Sequence, residues 1–215
     1  MMPIIRYNLG DMDNNTYLIV DEATQQAAIV DPSFESEKLI PEIREAGYQL
    51  KYLLNTHAHF DHIVGNAAFS GAFDIPIALH KEDLKLLQAL TAQGKRFGLE
   101  LTASPEPTIF LEEGQILTLG ETEIHVVWTP GHSPGSVTFL LEDVAIVGDV
   151  LFEGSIGRTD LPGGSLPTLM ASIREKLMTL PDETQVLPGH GEATSIGHER
   201  RTNPYLREPK RKATS

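Results

Sequence analysis

A chain of 215 residues, 40% hydrophobic and 22% charged, has the size and composition of a globular protein with one large core. Its 17 basic against 30 acidic side chains leave a net charge of −13, the wrong sign for a general nucleic-acid binder. There is no cysteine, so disulfides and cysteine nucleophiles are excluded and any metal must be held by His, Asp or Glu.

Met1 to Gly10 lacks the apolar core and small-residue cleavage site of a signal peptide, and no apolar run approaches the ~20 residues of a membrane helix. The expectation is a cytoplasmic protein without a membrane partner. Thr16–Val20 and Ala27–Val30 read as paired strands, the second closing at Asp31-Pro32. Residues 35–46 carry a helical pattern ended by Gly47. Leu50–Asn55 is a buried strand, 63–71 a helix, Ile75–Leu79 a strand, and 81–91 a helix with Leu84, Leu87 and Leu90 on one face. The Gly- and Pro-containing stretch 93–107 reads as a mobile flap. Strands follow at 108–111, 115–119, 122–128, 136–141 and 144–148, then a helix at 166–179 and a last strand at Thr184–Leu187. The polar, basic residues 208–215 read as a frayed tail behind a domain of residues 1–207. Strands then helices, twice over, suggest an αββα sandwich, two mixed sheets face to face with helices outside.

The strongest local signal is Thr56-His57-Ala58-His59-Phe60-Asp61-His62, delivered by the strand at Leu50–Asn55. Imidazole and carboxylate are the ligands that zinc and similar divalent metals favour. Alternate side chains of an extended segment point the same way, so His57 and His59 can close on one ion. Asp61 and His62, past the turn, reach a second. Three further strands run into turns that open on such a group: Trp128-Thr-Pro-Gly-His132, Val144-Ala-Ile-Val-Gly148-Asp149 and Val186-Leu-Pro-Gly-His190. Singly, each is a turn histidine or a helix cap. Together they complete two ions: His57, His59 and His132 on one, Asp61, His62 and His190 on the other, and Asp149 shared. His125, in an alternating strand, is expected to face solvent, His80 to start a helix, and His198 to match no ligand position.

His57-x-His59-x-Asp61-His62, His132, Asp149 and His190 resemble, position by position, the ligand pattern of the metallo-β-lactamase superfamily. Gly148-Asp149-Val-Leu-Phe152, Gly157-Arg158-Thr159-Asp160 and Pro188-Gly189-His190-Gly191 are similar to its glyoxalase II branch, and Ile196 to Arg200 with Asn203-Pro204-Tyr205 to the short bacterial type II glyoxalases. The resemblance implies hydrolysis of S-2-hydroxyacylglutathione by a hydroxide bridging two divalent ions, zinc first, with iron or manganese as alternatives. It makes Asp61 and Asp149 catalytic as well as ligating. The chain ends where longer glyoxalases continue into a helical domain that supplies much of their glutathione site. Arg158 takes the place of a basic glutathione contact, and Asp160 replaces an aromatic one. Two divalent ions, two carboxylates and one hydroxide leave the site at about +1, which favours a small anionic thioester. The common true β-lactamases use a cysteine at the second metal, which is missing here. Persulfide dioxygenases, with one iron and a similar Gly-Arg-Thr-Asp segment, are one alternative, and a hydrolase of another thioester or ester is the other.

Overall fold

The computed structural model describes residues 4–207; the expected tail at 208–215 lies outside them. The first sheet holds β1 (Ile4–Leu9), β2 (Asn14–Asp21), β3 (Gln26–Val30), β4 (Gln49–Leu54), β5 (Ile77–His80) and β6 (Ile109–Leu111), side by side in that order. Its first three strands are an antiparallel meander and β3 to β6 run parallel. The second half of the chain supplies β7 (Ile116–Leu119), β8 (Thr122–Trp128), β9 (Val137–Leu141), β10 (Val144–Gly148), the small hairpin β11 (Leu151–Phe152) and β12 (Ser155–Ile156), then β13 (Gln185–Pro188) and β14 (Thr194–Ser195). The second sheet has the order β14-β13-β10-β9-β8-β7.

Alternation along the strands decides the layering. From β2, Tyr17 and Ile19 face the second sheet, where they meet residues such as Leu119, Phe139 and Ile146. Leu18 and Val20 face outward, onto Leu39 and Ile43 of α1 (Leu39–Glu45). The chain then forms α2 (Phe60–Ile63), α3 (Asn66–Phe73), α4 (Leu84–Gln88) and α5 (Leu90–Arg96). Phe69 of α3 joins the same outer layer. On the other side, α6 (Leu166–Ser172), a wider helical turn at Ile173–Leu177 and α7 (Ile196–Thr202) cover Ala145, Val147 and Val186. The αββα sandwich expected from the sequence is the observed fold. No helix among the described residues is long and apolar enough to cross a membrane.

Three expectations need correction. The helix expected at 63–71 is two helices, α2 and α3, parted at Gly65; a Cβ there would lie 2.8 Å from the carbonyl oxygen of Pro32, to which the Gly65 amide donates. The helix at 81–91 is a short 3-10 turn, then α4 and α5 with a break at Ala89. The flap expected at 93–107 is seated rather than free. Residues 93–96 finish α5, Leu99 and Leu101 pack on Ala58, Phe60 and Leu90, and Ser104 accepts a hydrogen bond from Asn66. Strand β1 escaped the sequence reading because it is a half-exposed edge.

Strands β8, β10 and β13 run in one direction, since β9 is antiparallel to both β8 and β10 while β13 is parallel to β10. Their C-terminal ends therefore deliver His132, Asp149 and His190 to the same edge. The loop after β4 arrives there from the other sheet, held by the Val137 amide on the Thr56 carbonyl at 2.8 Å.

Candidate metal centre

The five histidines of the motif set meet, and four of them, His57, His62, His132 and His190, have an outer nitrogen tied by a hydrogen bond. His132 Nδ1 lies 2.8 Å from the Arg158 carbonyl and His190 Nδ1 lies 2.9 Å from the Met12 carbonyl. A carbonyl only accepts, so both Nδ1 atoms carry the proton and both Nε2 lone pairs face inward. Thr56 gives its hydroxyl proton to Asp31, which leaves its oxygen to accept from His57 Nδ1 at 3.1 Å. His62 Nδ1 donates to Asp31 Oδ2 at 3.2 Å.

Two triads of motif residues have donor atoms within 4.8 Å of one another, His57, His59 and His132, and Asp61, His62 and His190; Asp31, His57 and His62 form a third such group. Asp149 Oδ2 lies 3.6 Å from both His132 Nε2 and His190 Nε2, between the triads. All seven side chains singled out in the sequence are thus brought together. Their chemistry fits divalent cations. His57 Nε2, His59 Nε2 and Asp149 Oδ1 are buried without a hydrogen-bond partner. Orphaned polar atoms of this kind are costly unless a cation satisfies them.

Charge states point the same way. Burial, reinforced by the neighbouring imidazoles, holds His57 well below its ordinary pKa and His59 down at about 4, so both are neutral donors at pH 7. Burial works against ionisation of Asp61 and Asp149, but the His62 charge and surrounding hydrogen bonds outweigh it and keep both carboxylates ionised. His62 is raised in return: burial opposes its charge, and Asp61 and Asp149 prevail. His190 is raised against burial by its bond to Asp61.

Several supporting residues were invisible in the sequence. Asp31, read as part of a turn, sits at φ +48° and takes the Thr56 amide at 2.7 Å besides its bonds to Thr56 Oγ1 and His62. Asp83 is fully buried and joins two ligand loops, accepting from the Ala58 amide (3.0 Å), the Ser133 hydroxyl (2.6 Å) and the Gly135 amide (2.6 Å). Asn14 donates to Asp61 Oδ2 at 2.9 Å, with His190 Nε2 at 3.4 Å and His62 Nε2 at 3.5 Å. The only local hint was a run of Asn beside a strand. Gly189 was legible as a turn residue, but its necessity is tertiary, since a Cβ there would lie 2.3 Å from Asp149 Oδ1.

The centre opens into a cleft of about 850 Å3 walled mostly by apolar groups, among them Phe60, Phe97, Phe152 and Leu161. Arg158 also lines it; its guanidinium makes two 2.8 Å bonds to Asp160. His125 is exposed beside Glu123, and His80 accepts from the Glu82 amide at the start of a helical turn, both as expected. His198 is exposed and contributes nothing to the centre; its neighbour Glu199 is the buried one, bonded to Gly154, Thr194 and Asn203.

The sequence model of the metallo-beta-lactamase superfamily matches residues 9–190, a span that contains every ligand described above. The chain belongs to the metallo-beta-lactamase superfamily. It is 42% identical over 196 residues to the hydroxyacylglutathione hydrolase GloC of Haemophilus influenzae, covering 89% of this chain and 92% of that protein. It is 41% identical over 205 residues to a Bacillus subtilis protein named a probable metallo-hydrolase, covering 94% and 96%. Among solved structures it is similar to the B3 metallo-beta-lactamase BLEG-1 (TM-score 0.89, 38% identity, 96% of this chain and 100% of that one). It is also similar to TTHA1623 in a di-iron-bound form (TM-score 0.86, 39% identity, 94% and 100%). The resemblance seen in the motifs, to a glyoxalase II-like branch of this superfamily, agrees with these relatives. The chain is a metallo-hydrolase by family, and its His and Asp cluster suits divalent metal.

Proposed function

We propose that this protein hydrolyses small anionic thioesters, with S-2-hydroxyacylglutathiones such as S-lactoylglutathione as the leading substrates. The observation that carries this reading is the pair of triads sharing Asp149 at the floor of a cleft. His57, His59 and His132 would hold one divalent ion and Asp61, His62 and His190 a second, with zinc first and iron, as in TTHA1623, or manganese as alternatives. Such ions supply Lewis acidity for a carbonyl oxygen and lower the pKa of water toward neutrality. The protein's own part is to hold the donors: Asp31 orients His57 through Thr56 and His62 directly, and the Arg158 and Met12 carbonyls fix the tautomers of His132 and His190. A thiolate leaving group, whose thiol has a pKa of about 8.5, departs without a proton donor, as an amide nitrogen would not. The kinship with GloC supports the acylglutathione class.

The test is a substrate panel with metal analysis on one preparation: S-lactoylglutathione, an acyl-coenzyme A thioester, a chromogenic β-lactam and glutathione persulfide, each before and after chelation. The expected result is two ions per chain and chelator-sensitive thioester hydrolysis restored by zinc. A zinc-loaded protein that leaves every thioester intact refutes the proposal. One iron per chain with oxygen uptake on the persulfide moves the protein to the dioxygenase class.

A further inference from the structure

Two arginines reach the cleft, and only one is engaged. Arg158 is neutralised by Asp160 in a two-bond ion pair, whereas no carboxylate pairs with Arg96 among the described residues. Glu192, an acid of the same wall, is itself paired with Arg6. Phe97, next to Arg96, is 63% exposed and is among the largest apolar groups left open to water. Its ring stacks on Phe60 at a centroid distance of 4.8 Å, and Phe60 stands in the chain between His59 and Asp61.

This rim is held in register with the metal-binding turn. Gln93 accepts from the Phe60 amide at 3.2 Å and donates to the Ala58 carbonyl at 3.3 Å and the Leu86 carbonyl at 2.7 Å. Gln93, Arg96 and Phe97 are spaced i, i+3 and i+4, which puts them on one side of α5 and its C-terminal cap, Phe97. All three line the cleft. A solvated cation beside an uncovered aromatic that is itself stacked on the ligand turn is an arrangement that recognises a molecule with an anion and an apolar stem. A small thioester is such a molecule.

We propose that Arg96 and Phe97 form the substrate subsite: Arg96 takes the carboxylate of the thiol carrier and Phe97, backed by Phe60, packs against its methylene and thioether stem. The assignment rests on the cleft being a thioester site. It also moves the anion contact that the resemblance placed on Arg158, in the loop after β12, to a residue of α5.

The test uses the zinc-loaded full chain. KM and kcat for S-lactoylglutathione are measured for the wild type, R96A, R96K, R158A and F97A, alongside calorimetric Kd for the non-hydrolysable S-hexylglutathione. Loss of a charge-assisted bond predicts that R96A raises KM and Kd about tenfold or more with kcat within about threefold, and that R96K recovers part of the loss. F97A raises both several-fold, and R158A, whose guanidinium is already paired with Asp160, raises them less than R96A does. R96A values within about twofold of wild type overturn the assignment, as does a larger effect of R158A or a fall in kcat alone. Failure of the reaction itself reads differently. A wild type that binds S-hexylglutathione through Arg96 but turns over no thioester refutes the proposed activity and keeps the subsite; a wild type that does neither overturns the subsite too.

Discussion

Asp83 ties the loop carrying His57 and His59 to the loop carrying His132, and its replacement by asparagine isolates that tie. The change is nearly isosteric, so no cavity enters the account. Oδ2 takes two donors, the Ala58 amide and the Ser133 hydroxyl, and Oδ1 takes the Gly135 amide. An asparagine must turn its NH2 toward one of these. The least costly choice points it at Ser133, whose hydroxyl proton can then turn to Ser136 at 2.8 Å, and leaves the Ala58 N–H without an acceptor. A buried unpaired amide costs about 1–3 kcal/mol, and the surviving bonds lose their charge. Against this stands the relief of no longer burying a carboxylate, which burial pushes toward its protonated form. The net expectation is a loss of about 1–3 kcal/mol, or roughly 3–10 °C in Tm for a chain of this length. Urea unfolding of chelated D83N, followed by the fluorescence of Trp128, whose indole donates to the Pro134 carbonyl in the same loop, measures it. Zinc affinity should fall along with stability. A stability change under about 0.5 kcal/mol, or a clear loss of stability with zinc affinity untouched, refutes the claim that Asp83 couples the two loops.

Asn14→Leu removes the donor to Asp61, and on the proposed two-ion reading it should weaken zinc at Asp61, His62 and His190 by about tenfold or more while sparing zinc at His57, His59 and His132; competitive chelator titration resolves the two, and equal weakening of both contradicts the assignment. Because His62 is raised well above its ordinary pKa and holds a proton that a metal must displace, zinc loading at pH 7 should release about one proton and weaken as the pH falls. Calorimetry in buffers of different ionisation enthalpy reads that release, and a heat independent of buffer counts against it. Asp21 binds Thr24 in the turn that follows it and the Glu121 amide and Thr122 hydroxyl of the β7–β8 hairpin, and its bonds to Thr24 and Thr122 lower its pKa to about 2. A depressed carboxylate stabilises the fold above its unfolded pKa, near 3.9, and loses that contribution as the pH falls toward 2. The Tm gap between wild type and D21N should therefore narrow from pH 5 to pH 2.5; a constant gap denies the ionised carboxylate its role.

Strand-to-turn grammar made the seven clustered His and Asp residues readable. An apolar run that stops at Gly-Asp or Pro-Gly-His exposes a polar side chain at a strand end, and two ligands one residue apart share a direction in extended chain. The sandwich was readable for the same reason, since periods of two and of 3.6 are written locally. What the chain order could not show was which residues stand behind the ligands. Asp31 reaches Thr56 across 25 positions, Asp83 reaches Ser133 across 50, and Asn14 reaches His190 across 176. Each is an ordinary turn, cap or strand residue until two sheets meet and leave it dry among donors. The seating of residues 97–107 and the facing of Gln93, Arg96 and Phe97 over the cleft were likewise decided by packing, because an apolar residue in a Gly- and Pro-rich stretch acquires a place only when a core such as Ala58, Phe60 and Leu90 is there to receive it.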